Sequence, residues 1–237
     1  MSYKRNGGKL HDEAVLRARR DKRRCATRAP DLKGANLVDI DFHWDLGSTN
    51  TYFALHLLAP IAARNGARIV PHPFNLGYVF RAQNYVLTDE PRAKLRHRAV
   101  DLRRWARRFD LPFRMPRTFP IKTSRAHRAS LAMRDLGLEL PFIEAIFRAY
   151  WEENDASVAD YAGLRRAAGK LGVDEDRLEA MSESEAIRQR LVDETNAAMA
   201  RGAFGAPTMF VGEEMFWGKD RMEFLEEELA RLAAETG

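Results

Sequence analysis

A chain of 237 residues, 45% hydrophobic and 31% charged, has the length for one large domain or two interlocked ones and the balance of a soluble globular protein. No apolar run approaches the roughly 20 residues that span a bilayer, and residues 1–30 lack a secretory core, which excludes a membrane span and gives a cytoplasmic address by default. The single cysteine, Cys25, stands in Arg23-Arg24-Cys25 with no C-x-x-C anywhere, so dithiol redox chemistry and cysteine-based zinc sites are excluded.

The net charge of +5 is unevenly spread. Residues 1–36 hold 11 Lys and Arg against 4 Asp and Glu, which leaves 28 basic and 30 acidic residues, net −2, in 37–237. A basic extension over 1–36 reads as a solvated arm or partner-docking segment, with nucleic acid disfavoured. Asp12, Glu13 and Asp21 argue against a mitochondrial presequence.

From Leu37 to Asp45, β-branched and aromatic residues with partial period-two spacing predict a strand. A turn over Leu46-Gly47-Ser48-Thr49-Asn50 follows, then Tyr52, Leu55, Leu58, Ala59 and Ala62 at helical spacing until Asn65-Gly66. A short proline-broken strand spans Arg68 to Phe74, so the chain opens as a parallel strand-helix-strand unit. From Ala82 to Gly202 the pattern becomes helical. A first helix carries Leu95, Leu102 and Trp105, and a proline-rich loop runs from Pro112 to Pro120. Thr123 or Ser124 caps the next helix, Pro141 opens another, Ser157 caps another, Asp174 starts a short one and Ser184 caps the last. Strands resume at Thr208–Val211 and Met215–Trp217, and a helix begins near Asp220. The expected divisions are 1–36, 37–81, the inserted helical segment 82–202, and 203–237.

Gly202-Ala203-Phe204-Gly205-Ala206-Pro207 reads as a helix stop followed by a turn, with a cis Ala206-Pro207 bond as one option. In that arrangement the Ala206 N–H and C=O are free to pair with an extended peptide. Ser48 is, by spacing alone, the N-cap of the first helix. A Ser-His-Asp hydrolase fails because Ser48 lacks the G-x-S-x-G elbow. The six histidines form no metal-binding pair, so no metal is expected.

The element order resembles a thioredoxin-like α/β fold with a large all-helical insertion, as in DsbA and the kappa-class glutathione transferases. The motifs narrow this to a resemblance over Leu37 to Leu232. Phe42-x-x-Asp45-x-x-Ser48-x-x-x-Tyr52-x-Ala54, Arg104-Trp105-Ala106 and Pro116-x-x-Phe119-Pro120 are three of them. Gly202-x-Phe204-Gly205-x-Pro207-Thr208 and Phe216-Trp217-Gly218-x-Asp220-Arg221 are the others, and together they are similar to 2-hydroxychromene-2-carboxylate isomerases.

That resemblance implies glutathione as cofactor and Ser48 as the catalytic hydroxyl on its thiolate, helped by the helix dipole by about one pKa unit. It further implies Ala206 and Pro207 pairing with the cofactor backbone, and Asp220 receiving its ammonium with Lys219 beside it. Asn84, Lys94, Trp105, Phe119 and Lys122 are implied around a small-molecule electrophile or aromatic-derived enone acid. The reaction expected is cis-trans isomerisation. A kappa-like transferase and a non-catalytic thioredoxin-like peptide-binding protein stand as alternatives, and a homodimer is left open. The chain departs from the family pattern at Thr49 and Asn50, where a proline and an aromatic are usual, at Lys122, usually asparagine, and at Lys219, usually small and polar. The extra cations favour a more anionic substrate or weaken the ammonium contact.

Overall fold

The computed structural model describes residues 37–86 and 90–236, and the basic extension with Cys25 lies outside them. Residues 37–237 form one compact unit that holds the sheet and the inserted helices together. Four strands, β1 (Asp39–Trp44), β2 (Arg68–Pro73), β3 (Thr208–Val211) and β4 (Glu214–Trp217), lie in the order β2-β1-β3-β4. β1 runs parallel to β2, joined by α1 (Thr49–Arg64), while β3 is antiparallel to both β1 and β4. This is the DsbA-like thioredoxin arrangement, with the helical insertion between β2 and β3.

Period two along β1 separates two environments. Ile40, Phe42 and Trp44 are fully buried on one face, where Phe42 sits beside Met209 in register and the face packs into a core with α1 and the inserted helices. Asp39, Asp41 and His43 point to the other face, toward β2 and the end of the insertion. The large core holds Trp44, Tyr52, Phe53, Phe142, Phe147 and Trp151, each fully or almost fully buried. Each contributes about 1.5–3 kcal/mol by burial. Trp151 also donates its indole N–H to the Leu46 carbonyl at 2.9 Å, which ties the insertion to the turn ahead of α1.

The insertion and its approach comprise α2 (Leu76–Ala82), α3 (Arg92–Arg108), α4 (Ser124–Arg134), α5 (Glu139–Trp151), a 3-10 turn at Ala156–Ala159, α6 (Tyr161–Gly169), α7 (Glu175–Ser182) and α8 (Glu185–Ala200). A last helix, α9 (Met222–Thr236), packs on α1. Asp174 and Ser184 cap α7 and α8 as expected, each accepting from a backbone N–H. Ser157 does not cap. Asp155 and Asp160 take that role at the 3-10 turn and α6, because a carboxylate accepts the free N–H groups while the Ser157 hydroxyl itself donates to Asp155. Pro141 falls in the first turn of α5 rather than opening it. Helix α2 is an addition to the sequence reading, capped by the Asn75 side chain on the Tyr78 N–H. α8 stops where Gly202 takes φ +97, the left-handed geometry that glycine adopts most readily.

Candidate active site

The chain turns sharply between β1 and α1, and one buried carboxylate organises that turn. Asp45 is 2% exposed and accepts from the Gly47 N–H at 2.7 Å, from the Leu76 N–H at 3.0 Å and from the Thr123 hydroxyl at 3.0 Å. It therefore joins the turn, the start of α2 and the start of α4. Thr123, occupied this way, stands at the N-cap position of α4 without making a capping bond. His127, fully buried, brings Nε2 within 3.5 Å of Asp45, and burial holds it below the usual histidine range.

Ser48 lies at the end of this turn, 9% exposed and facing a cavity. Its oxygen caps α1 by accepting from the Thr51 N–H at 3.2 Å, and its hydroxyl donates to the Ala206 carbonyl at 2.8 Å. The expectation that both Ala206 backbone groups stand free is thus corrected: Ser48 takes the carbonyl, because an unpaired buried acceptor so close to a hydroxyl is costly. The Ala206-Pro207 peptide is cis. Thr51 being capped, the amides of Thr49 and Asn50 are left without helical partners, and both residues line the cavity.

The cavity is about 710 Å³ and joins Ser48 and Ala206 to three other groups of residues. Leu76 and Phe80 come from α2. Leu95, Ala99 and Leu102 come from one face of α3. Phe204 and Trp217 form the remaining wall. Trp217 is 46% exposed and packs on Phe204 with ring centroids 4.9 Å apart. Its indole covers Gly205 so closely that an added Cβ there would sit 2.7 Å from Nε1.

Two curated relatives match most of the chain, and both are named 2-hydroxychromene-2-carboxylate isomerase. The one from Pseudomonas sp. (strain C18) is 33% identical over 80% of this chain and 89% of its own length. The one from Pseudomonas putida is 31% identical over 83% and 97%. A solved 2-hydroxychromene-2-carboxylate isomerase superposes with a TM-score of 0.74 at 30% identity, covering 84% of this chain and 97% of that one. The model of the DsbA-like thioredoxin domain matches residues 39–230. The chain belongs to the 2-hydroxychromene-2-carboxylate isomerase family.

Of the site positions expected from the sequence resemblance, Ser48, Ala206, Lys94 and Phe119 meet at the cavity. The others stand outside its lining. Pro207 lies behind Ala206, and its carbonyl accepts from the Gly218 N–H. Asn84 is exposed in the turn after α2 with φ +53, while its neighbours Gln83 and Tyr85 face the cavity. Trp105 packs on the large core and stacks on Phe109. Lys122 is exposed. Asp220 is exposed and paired with Arg221 at 3.1 Å. Lys219 is turned inward onto Asn50.

Glu90, which the sequence reading does not single out, also lines the cavity. Its carboxylate receives the Lys94 ammonium at 2.8 Å, the Tyr85 hydroxyl at 3.0 Å and the Arg98 guanidinium, so the cationic wall of the cavity is already partly neutralised. Lys94 and Arg98 are four apart on one face of α3, and Glu90, just ahead of the helix, meets both. Among the described residues, no group of three or more His, Cys, Asp or Glu is arranged to hold a metal ion.

Behind the sheet of this family member lies a charged cluster apart from the cavity. His43, 4% exposed with both ring nitrogens unpartnered, stacks on His72 at 4.9 Å. His72 is held between Asp41 at 3.0 Å and Glu194 at 3.7 Å. Burial opposes its charge, but hydrogen bonds to the two carboxylates prevail and raise its pKa to about 9. His43 is lowered to about 3 by burial and then by the charge on His72. Relative to an unfolded histidine near 6.5, native His72 holds its proton up to the higher pH, so its contribution is complete below 6.5 and lost as pH rises through 9. Native His43 stays neutral where the unfolded chain protonates, so stability also declines as pH falls from 6.5 toward 3. Denaturant unfolding across pH 4–9.5 should give a maximum near pH 6.5, with a loss of at most about 3 kcal/mol on the alkaline side. In His72→Gln the alkaline limb should flatten.

Proposed function

We infer that this chain catalyses a glutathione-dependent cis-trans isomerisation of an aromatic-derived enone acid, as the names of its relatives suggest for the reaction. The observation that carries the reading is Ser48: a hydroxyl at the N-terminus of α1, facing an apolar cavity and 2.8 Å from the carbonyl that precedes Pro207.

The residues present fit glutathione. No cysteine lies among the described residues, so a reacting sulfur has to come from outside them. The α1 N-terminus offers a dipole and two amides without helical partners, from Thr49 and Asn50, to an anion. Bound glutathione would supply a thiolate nucleophile that adds to the conjugated system and later leaves, with the former double bond free to turn in between.

Everything else falls to the protein. Ala206 offers a backbone carbonyl to an incoming peptide N–H, and once that N–H arrives the Ser48 hydroxyl can turn toward sulfur, since a hydroxyl has a single proton to give. Phe204, Trp217 and Phe119 wall the apolar space. Lys94 and Arg98 attract a carboxylate in competition with Glu90. Asp45 keeps the turn in place.

The test is isomerisation of 2-hydroxychromene-2-carboxylate followed by absorbance with and without glutathione. Turnover that requires glutathione supports the reading. Turnover equal in its absence overturns the cofactor. A product that retains glutathione indicates a transferase instead.

A further inference from the structure

Lys219 is unusual for a lysine in a loop before a helix. Its side chain is only 11% exposed, and it crosses from the segment between β4 and α9 to the first turn of α1. There Nζ donates to the Asn50 side-chain oxygen at 3.1 Å, across 169 positions of sequence. The ammonium also stands 4.7 Å over the Trp105 ring and 3.6 Å from Asp101, both on α3. Lys219 is therefore bonded to a residue, Asn50, that lines the cavity beside Ser48.

Burial of a lysine needs compensation, and its nearest charge here is a carboxylate that is about one-third exposed. The compensation is incomplete, as burial holds the ammonium below the usual lysine range despite Asp101. A cation fixed behind the N-terminus of α1 adds to the helix dipole at the point where an anion would bind.

We propose that Lys219 is a positioning residue of the thiolate site: through Asn50 it fixes the first turn of α1 and strengthens the positive field there, while Asp101 sets how much of that field reaches the cavity. The proposal rests on the glutathione reading and names a control on the same site. It assigns opposite signs to Lys219 and Asp101, which a merely structural brace would not.

The test follows the pKa of the glutathione thiol bound to the full chain, by thiolate absorbance near 240 nm across pH. Lys219→Met should raise that pKa by about half a unit, about threefold less thiolate below the pKa. Asp101→Asn should lower it by a similar amount, and Lys219→Arg should restore much of the wild-type value. The Asp101 side chain is about one-third exposed and Asp101→Asn conserves its shape, so this variant keeps the test readable if Lys219→Met fails to fold. Equal pKa values in wild type and both variants, or shifts in the same direction, would overturn the role of Lys219 and leave the glutathione reading intact. A wild-type protein that binds no glutathione overturns both.

Discussion

Ser48→Ala is expected to lower kcat/KM for glutathione-dependent isomerisation by about 100-fold, most of it in kcat. The hydroxyl is a side-chain donor at the N-terminus of α1 facing the cavity, and removing one donor from a preorganised anion site costs on the order of 10²–10³ in rate. KM for glutathione should change little, since the Ala206 backbone remains. The same substitution removes the cap on the Thr51 N–H and the bond to the Ala206 carbonyl, so stability should fall by about 1–2 kcal/mol. Ser48→Thr retains a hydroxyl and should recover a large part of the rate. Steady-state kinetics at fixed pH, beside denaturant unfolding of the same samples, separates the two effects. Threonine also caps, so it preserves the helix end; an Ala variant that loses stability but keeps the wild-type rate would show that the hydroxyl acts as a cap alone.

The second large effect concerns Asp45. Asp45→Ala should destabilise the protein by about 3–5 kcal/mol. The reason is the number of donors that lose their acceptor at once: the Gly47 and Leu76 amides and the Thr123 hydroxyl, with His127 buried beside them. Breaking a buried hydrogen-bonded charge carries a cost of this size. In a domain near 200 residues it lowers the melting temperature by about 10 °C. Asp45→Asn keeps one oxygen acceptor but turns an NH2 toward the other donors, so an intermediate loss is expected. Thermal unfolding of the two variants gives the order. Because Asp45 also holds the turn that presents Ser48, residual activity in the Asn variant should drop more in kcat than in KM.

Much of this architecture was legible from residue spacing. The period-two run at Ile40, Phe42 and Trp44, the helical run from Tyr52 to Ala62 and the Gly202 stop each predicted the element observed. Ser48 was readable as an N-cap, and that role and its place at the cavity prove compatible, since one oxygen accepts while its proton is given elsewhere. Less was readable where tertiary partners decide. Helix α2 is seven residues long between prolines and a polar turn, too short for periodicity to speak. Ser157 matched cap chemistry, yet Asp155 and Asp160 were better placed to accept. Lys219 looked like a ligand group because local sequence cannot reveal a partner 169 positions away. Asp220 pairs with its neighbour Arg221, a contact that sequence adjacency allowed but did not require. Glu90 escaped notice because a charge at the start of a helix is ordinarily solvated, whereas here its side chain is enclosed by Tyr85, Lys94 and Arg98.

The central claim is that α1 and Ser48 stabilise a thiolate on bound glutathione, and its most direct test is the ultraviolet difference spectrum of wild-type protein with glutathione at pH 7. The account predicts a saturable thiolate band near 240 nm and a bound thiol pKa about one unit below that of a free thiol, with the band reduced in Ser48→Ala. Saturable binding with no thiolate band, or a band unchanged in Ser48→Ala, would contradict it.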